Sequence, residues 1–219
     1  MFIVPDDGAP KGDKIEIAEK SILWLKVTVK GKQAHASVPE EGLNAFREAA
    51  KYALEADAYL HKKYIRKTEL FPNGSTFEMT KHEKNVENIN ILPGEEVFYI
   101  DCRILPEYDV AKVAGELRRI GRKYRAKIKV EEVNKEKSGA TSADSEIVNV
   151  LKKSIKEVLH QDARLVGIGG STMAGVVRKA GFDAVAWDVE KTVAHQPNEC
   201  MPMEDVVKTA KVLVRVFTE

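Results

Sequence analysis

Two short polar segments at opposite ends of the chain contain residue types that bind metal ions. His195 lies in Thr-Val-Ala-His-Gln-Pro-Asn-Glu at 192–199, where a proline-containing turn and an acidic residue follow the histidine. Asp6 lies in Pro-Asp-Asp-Gly at 5–8, directly after a short apolar segment. Imidazole nitrogens and carboxylate oxygens are common zinc ligands. We therefore expect Asp6 and His195 to contribute to one metal site. The alternatives are a loop histidine with an ordinary hydrogen bond and an aspartate that caps a turn.

A second histidine, His35, follows a predicted strand in Gly-Lys-Gln-Ala-His-Ala-Ser at 31–37. The small residues on both sides of it would let a substrate or a second chain approach the imidazole closely. The alternative is a histidine at the end of a strand that faces solvent. His35 is therefore a candidate for contact with a substrate, and its residue type alone does not decide between the two interpretations.

Arg103 and Asn90 are candidates for binding an anionic substrate. Arg103 lies in Asp-Cys-Arg-Ile-Leu-Pro at 101–106, inside an otherwise apolar strand, and a buried charge without a partner is costly. A guanidinium group pairs well with a carboxylate, so a bound carboxylate would suit Arg103. The alternative is a structural ion pair at the sheet surface, and Asp101 points to the same face of the strand. Asn90 begins Asn-Ile-Leu-Pro-Gly at 90–94, between two predicted strands.

The segment Gly-Gly-Ser-Thr at 169–172 joins a predicted strand to the start of a predicted helix. The backbone N–H groups at a helix start lack intrahelical partners and can bind an anion, either a phosphate or a carboxylate. Gly170, Ser171 and Thr172 are therefore candidate substrate-binding residues. The alternative is a plain strand-to-helix turn in which Ser171 or Thr172 caps the helix.

The composition describes a globular protein and argues against several classes of partner. Of the 219 residues, 43% are hydrophobic and 32% are charged, and 35 Lys and Arg residues balance 34 Asp and Glu residues. Without a basic excess, nucleic acid and anionic membranes are not expected as partners. No apolar run approaches the roughly 20 residues that span a bilayer, and no signal peptide is visible. Because Cys102 and Cys200 cannot form a disulfide framework, we expect a cytoplasmic location.

The central segment, residues 21–136, has the element order β-α-β-β-α-β of a ferredoxin-like domain. Alternating apolar residues predict the strands, and apolar residues at helical spacing predict the helices. In order, the elements are a strand at 23–29, a helix around 45–56, strands at 75–86 and 95–105, a helix capped by Asp109, and a strand at 126–133.

The flanking segments, 1–20 and 137–219, predict part of an α/β sheet. Residues 2–4 form a short apolar strand, and a turn-rich stretch rich in Pro and Gly follows it. The C-terminal segment alternates helices and short apolar strands, which indicates a mainly parallel sheet. Its predicted elements are helices at 145–159, 171–180 and 203–217 and strands at 163–168 and 183–187. So few strands could not bury helices on both faces of a sheet, which indicates that the sheet is only partial. The predicted fold class is α/β plus α+β: a partial, mainly parallel sheet with an inserted ferredoxin-like domain.

Taken in order, these motifs resemble the cocatalytic zinc aminoacylases and carboxypeptidases. That family includes acetylornithine deacetylase, succinyl-diaminopimelate desuccinylase and glutamate carboxypeptidase. The resemblance covers nearly the whole chain, and it depends on the order of the motifs more than on any one of them. The matching segments lie at 5–8, 31–37, 41–45, 90–93, 101–103, 169–172 and 194–199.

The resemblance implies a role for each candidate residue. Asp6 and His195 would be ligands of a two-zinc site that activates a bridging water. His35, on the inserted domain, would reach into the active site of a partner subunit and stabilise the oxyanion there. Asn90 and Arg103 would hold the substrate carboxylate, with help from the turn at 169–172. The inserted domain would be a lid that carries the contact of a homodimer.

The resemblance also implies residues that this sequence does not contain. Family members carry a His-x-Asp metal motif, a bridging Asp and a Glu-Glu pair that includes the general base. The remaining histidines, His61, His82 and His160, do not have that spacing. We therefore expect the C-terminal part of a hydrolase of N-acyl amino acids or peptides with a free carboxylate, inactive alone. The missing half could be supplied by a separate chain, or the sequence could be a truncated product, a mis-called start, a split gene or an expressed fragment. The alternatives are a non-catalytic dimerisation module and a module that binds small carboxylates without metal.

Overall fold

The structure is a computed structural model that describes residues 1–190 and 197–218. Its strands are β1 (Phe2–Val4), β2 (Lys14–Glu19), β3 (Ser21–Lys30), β4 (Ala34–His35), β5 (Thr76–His82), β6 (Ile91–Leu92), β7 (Glu95–Ile104), β8 (Lys127–Glu136), β9 (Arg164–Ile168) and β10 (Ala184–Ala186). Its helices are α1 (Ala45–Tyr64), α2 (Val110–Gly121), α3 (Glu146–Leu159), α4 (Met173–Lys179) and α5 (Met203–Phe217), with a single 3₁₀ turn at Pro39–Glu41.

The chain divides into two compact units. The first unit, the basal unit, consists of Met1–Lys20, Glu69–Phe71 and Ser138–Glu219, and the second, the lid unit, consists of Ser21–Thr68 and Pro72–Lys137. Within the described ranges, no helix is long and apolar enough to cross a membrane.

The lid unit is a four-stranded antiparallel sheet in the order β5-β7-β3-β8, with α1 and α2 packed against it. Alternate residues of β3 and β7 are buried, as half-buried strands require. Side-chain caps start both helices: Asn44 accepts a hydrogen bond from Arg47, and Asp109 accepts one from Ala111. Tyr52 is fully buried between the helices and donates its hydroxyl proton to the carbonyl oxygen of Leu117 at 3.1 Å. The predicted ferredoxin-like arrangement is confirmed.

A small ribbon in the lid unit pairs β4 with β6. Ala34 lies opposite Leu92, and His35 lies opposite Ile91. The loop before β4 is held by Gly31, whose N–H donates to the carbonyl oxygen of Gly94 at 2.8 Å. A Cβ atom at Gly31 would lie 2.0 Å from a backbone oxygen of the neighbouring segment, so this close crossing requires glycine.

The basal unit contains a four-stranded sheet in the order β1-β10-β2-β9. β1 pairs with β10 and β2 pairs with β9 in parallel, whereas β10 and β2 are antiparallel. The prediction of a mainly parallel partial sheet is confirmed. The expectation that residues 5–20 form only turns and loops is wrong, because β2 is a buried strand at the centre of this sheet.

A buried ion pair explains why β2 is difficult to recognise. Glu16 and Glu19 of β2 are almost fully buried, although their types are typical of surface residues. Two guanidinium nitrogens of Arg178 lie 2.8 and 2.7 Å from the carboxylate oxygens of Glu16, and Nε of Arg178 donates to the carbonyl oxygen of Ala184 at 2.9 Å. Burial raises the pKa of the Glu16 carboxyl, and the neighbouring guanidinium opposes that rise. The buried carboxylate of Glu16 in β2 is therefore paired with a cation from within the same unit.

Candidate functional site

The β4–β6 ribbon brings His35 and Asn90 together. Nε2 of His35 lies 3.4 Å from the side-chain nitrogen of Asn90, and the carbonyl oxygen of Asn90 accepts a hydrogen bond from the N–H of Ala36 at 2.8 Å. On the other side of the ring, Nδ1 lies 2.7 Å from Oγ of Ser37 and 3.2 Å from its backbone nitrogen. All four residues belong to the lid unit, and the side chains of His35 and Asn90 are exposed. This cluster therefore presents an imidazole and a carboxamide to whatever approaches the ribbon.

Arg103 forms a two-point ion pair with Asp101 on the face of the lid sheet opposite α1 and α2. Nε of Arg103 lies 2.7 Å from Oδ1 of Asp101, and Nη2 lies 3.1 Å from Oδ2. Both side chains are about a quarter exposed, with relative areas of 27% each. Cys102, between them, points into the core, where burial raises the pKa of its thiol to about 12. The guanidinium is thus held in a fixed orientation on the open face of the sheet.

The glycine turn at 169–172 ends in a helix cap. Oγ1 of Thr172 accepts a hydrogen bond from the N–H of Ala174 at 3.1 Å. The N–H and hydroxyl groups of Thr172 lie 2.8 and 2.6 Å from a carboxylate oxygen of Glu19. A Cβ atom at Gly175 would lie 2.0 Å from the same carboxylate, so a larger residue there would displace the Glu19 side chain. The carboxylate of Glu19 therefore lies where an anionic ligand would bind at the start of α4, and it accepts the hydrogen bonds that Thr172 could otherwise donate to that ligand.

Asp6 and its neighbours form the polar end of β1. Oδ1 of Asp6 accepts a hydrogen bond from the N–H of Asp7 at 2.8 Å, and Nζ of Lys14 lies 2.9 Å from Oδ2 of Asp7. Asp7 has a φ of 51°, a left-handed conformation that aspartate tolerates. The N–H of Gly8 donates to Oε2 of Glu190 at 3.2 Å. Asp6 itself remains exposed, as a carboxylate that could take a further partner.

The described residues do not form a metal site by themselves. His195 lies outside the described residues, so its predicted pairing with Asp6 has no geometry to report. Within residues 1–190 and 197–218, no group of three or more His, Cys, Asp or Glu side chains could hold a metal ion. A catalytic zinc ion usually has about three protein ligands. Asp6 therefore offers one carboxylate, which is fewer than such a site needs.

Sequence reasoning missed two residues that shape these clusters. Ser37 contacts the ring of His35 through two atoms, and its position two residues after the histidine was the available signal. Glu19 contacts the start of α4 across 153 residues of sequence, so no local pattern could have indicated it. Ser37 contacts His35 and Glu19 contacts the turn at 169–172, and the sequence did indicate both of these features.

A family model described as the peptidase dimerisation domain matches residues 17–128. The chain is 39% identical, over 99% of its length, to an uncharacterized metallohydrolase of Methanocaldococcus jannaschii, and it covers 56% of that relative. It is 24% identical, over 95% of its length, to succinyl-diaminopimelate desuccinylase of Nautilia profundicola, and it covers 55% of that enzyme. The chain thus spans about half the length of the curated relatives it matches.

Solved structures with a similar fold include that of aminopeptidase PepT from Bacillus cereus. The TM-score is 0.78 at 22% sequence identity, and the match covers 98% of this chain and 55% of that one. At this level of identity the match establishes the fold.

Proposed function

The chain belongs to the M20 family of metallohydrolases, whose dimerisation domain it contains, and on that premise we propose that it forms the C-terminal part of a metal-dependent amidohydrolase. The substrates would be N-acyl amino acids or peptides with a free carboxylate, as for deacetylases, desuccinylases and carboxypeptidases. The lid unit would carry the dimer contact and the substrate-binding donors. The basal unit would contribute part of the catalytic domain.

The strongest support for this proposal is the convergence of His35 and Asn90 on the β4–β6 ribbon. Hydrolysis of an amide develops negative charge on the carbonyl oxygen, and fixed hydrogen-bond donors aimed at that oxygen lower the barrier. We assign this role to the imidazole of His35, acting in the active site of the partner subunit. Asn90, beside it, would bind the substrate carboxylate.

Arg103 would supply the second contact to the substrate carboxylate. Its guanidinium group is planar and permanently charged, and Asp101 fixes its orientation through two contacts. A substrate carboxylate would bind to the same guanidinium as a second anion or would displace Asp101. At the glycine turn, Gly170 and Ser171 remain candidates for binding the anion, whereas the donors of Thr172 already contact Glu19.

Membership of this family implies a metal, and we propose zinc, with Asp6 and His195 as ligands. The remaining ligands and the general base would come from residues outside these 219, because two ligands are fewer than the three or so of a catalytic zinc site. A separate chain is one candidate source of them. This chain alone would then bind zinc weakly and would be inactive. Both cysteines are free, which supports a location in a reducing cytoplasm.

The edge of the lid sheet at β5 is the surface that best fits a homodimer contact. Exposed Phe46 and Met79 line a groove of about 350 Å³ between α1 and β5, beside Ala49 and Phe98. The opposite edge, β8, carries many Lys and Glu residues, which discourage pairing of edge strands. A second copy of the chain that covered the β5 edge would bury apolar groups and satisfy the backbone groups of that edge.

An alternative function is a non-catalytic module that dimerises or binds small carboxylates. The lack of a metal-binding group among the described residues favours it for the chain on its own. One experiment separates the two functions: the part of the Methanocaldococcus jannaschii relative that this chain does not cover is fused ahead of Met1. We call this protein the fusion enzyme and assay it, beside the chain alone, with N-acetyl amino acids, N-succinyl amino acids and dipeptides.

The proposed hydrolase predicts zinc-dependent turnover by the fusion enzyme and none by the chain alone. Zinc titration by calorimetry runs in parallel and should give tight binding only in the fusion enzyme. A fusion enzyme that folds and binds zinc but hydrolyses no member of the panel would favour the non-catalytic alternative. Turnover by the chain alone would contradict the proposed need for a second segment.

A further inference from the structure

Three groups surround the imidazole ring of His35, and they differ in what they can donate. The backbone N–H of Ser37 can only donate, and its nitrogen lies 3.2 Å from Nδ1. The Ser37 hydroxyl, 2.7 Å from the same nitrogen, can donate or accept. The Asn90 carboxamide, 3.4 Å from Nε2, can do either, because its oxygen and nitrogen are interchangeable by rotation about one bond.

The backbone N–H of Ser37 decides between the two neutral forms of the ring. If Nδ1 carried the proton, two N–H groups would face each other at 3.2 Å, which is repulsive. If Nδ1 carries the lone pair, it accepts from the N–H and the hydroxyl of Ser37 together. The second arrangement satisfies both groups. A neutral imidazole has one protonated nitrogen, so the proton then lies on Nε2.

This assignment also fixes the orientation of the Asn90 side chain. A protonated Nε2 needs an acceptor, so the carboxamide oxygen of Asn90 faces the ring and its NH₂ group points away. The oxygen then takes the position of the carboxamide nitrogen that lies 3.4 Å from Nε2, which makes the hydrogen bond long. A negatively charged oxygen at the same place would accept the proton more strongly. The neutral ring can therefore donate a hydrogen bond from Nε2, the nitrogen that faces away from Ser37.

We propose that Ser37 is a positioning residue that holds Nδ1 of His35 as an acceptor and so directs its Nε2–H outward as a donor. The tautomer assignment is a property of this chain, whereas its purpose, donation to a substrate oxyanion, rests on the proposed function. The ribbon positions the ring between Ser37 and Asn90, and Ser37 selects which nitrogen carries the proton.

Two other histidines in the lid unit provide internal references with the opposite tautomer. Nδ1 of His61 lies 3.0 Å from the carbonyl oxygen of Asp57, and Nδ1 of His82 lies 3.1 Å from that of Glu83. A carbonyl oxygen can only accept, so in both rings the proton of the neutral form belongs on Nδ1. The same spectrum should therefore show both kinds of ring.

The test is a two-bond ¹H–¹⁵N correlation spectrum of the whole chain, labelled with ¹⁵N at its five histidines and recorded at a pH where the rings are neutral. We expect His35 to show the Nε2–H pattern while His61 and His82 show Nδ1–H. Ser37→Pro, which removes the backbone N–H, should shift His35 toward a mixture of both forms, whereas Ser37→Ala, which keeps that N–H, should leave His35 with the Nε2–H pattern. An Nδ1–H pattern for His35 in the unaltered chain, or a His35 pattern unchanged by Ser37→Pro, would overturn the proposal.

A kinetic measurement separates this inference from the proposed function. In the fusion enzyme, Ser37→Pro should lower kcat by about tenfold with little change in KM, since a misdirected donor weakens transition-state binding selectively. Ser37→Ala, which keeps the backbone N–H, should retain most of the activity. If the spectra agree with the proposal but His35→Ala turns over normally, Ser37 does set the tautomer and the oxyanion role of His35 is wrong. If Ser37→Pro changes KM alone, the positioning role is wrong.

Discussion

The side-chain carboxamide of Asn90 lies 3.4 Å from Nε2 of His35, although 55 residues separate the two residues in the sequence. Two strands of two residues each, β4 and β6, are sufficient to hold this pair together. The N–H of Ala36 donates to the carbonyl oxygen of Asn90 and ties the backbone at the same point. The lid unit therefore presents two polar side chains of different chemistry at one place.

Arg103→Ala in the fusion enzyme should raise KM by about 10- to 100-fold and change kcat little. The expected size follows from loss of a charge-assisted hydrogen bond, which contributes about 1.5–3 kcal/mol. Steady-state kinetics with a substrate that has a free carboxylate measure the effect. Arg118→Ala is the control, because Arg118 forms a partly exposed ion pair with Glu132 on the lid surface. Equal KM values for the two variants would remove Arg103 from the substrate site.

The helices and most strands could be predicted because their apolar spacing is regular. The helix at Met203–Phe217 and the strand at Phe2–Val4 agree with their predicted bounds residue by residue. In these segments the buried residues recur at the spacing of the helix or strand, so the spacing of apolar residues in the sequence is enough to predict the element. The Asp109 cap was likewise predictable from residue type and position.

The rest depended on partners that are distant in sequence. β2 is buried although it carries Glu16 and Glu19. Glu16 forms an ion pair with Arg178 and Glu19 accepts hydrogen bonds from Thr172, and both partners lie more than 150 residues away. The β4–β6 ribbon has two residues in each strand, too few for alternation to be visible. Only the resemblance to a known family, which rests on the order of the motifs, predicts that His35 and Asn90 belong to one functional site.

Phe46→Lys should convert a dimer of the chain into a monomer. The substitution places a charge in the apolar groove between α1 and β5, and desolvating it in an interface would cost several kcal/mol. Light scattering coupled to size exclusion gives the mass directly. Val133→Lys is the matched control, since Val133 is also an exposed apolar residue but lies on the β8 edge. Loss of the dimer in the Val133 variant alone would assign the interface to the opposite edge.

Arg178→Met should destabilise the basal unit by about 3–5 kcal/mol, because it leaves Glu16 buried without its cation. Burial already raises the pKa of the Glu16 carboxyl, and without Arg178 that pKa rises further. Burying a protonated carboxyl costs less free energy than burying a carboxylate, and acidic pH protonates Glu16 in the variant. The loss of unfolding free energy should therefore be smaller at acidic than at neutral pH. Urea unfolding at the two pH values measures both effects.

Arg215→Met is the control for that measurement. Arg215 forms an ion pair with Glu157 at the surface, and its loss should cost less than about 1 kcal/mol. If Arg178→Met unfolds at the same urea concentration as Arg215→Met, the buried pair does not hold the basal sheet together. A destabilisation that grows toward acidic pH would show that the sign of the Glu16 effect is wrong.

The measurement that tests the central claim most directly is activity rescue between two inactive subunits. Asp6→Asn and His35→Ala versions of the fusion enzyme, each with its own affinity tag, are produced separately and together. If His35 acts in the partner's active site, each variant alone is inactive. Random two-fold dimers of the two should then recover about one quarter of the wild-type rate, because half are mixed and each mixed dimer has one complete site. Doubly purified mixed dimers that remain as inactive as the two parents would contradict the account.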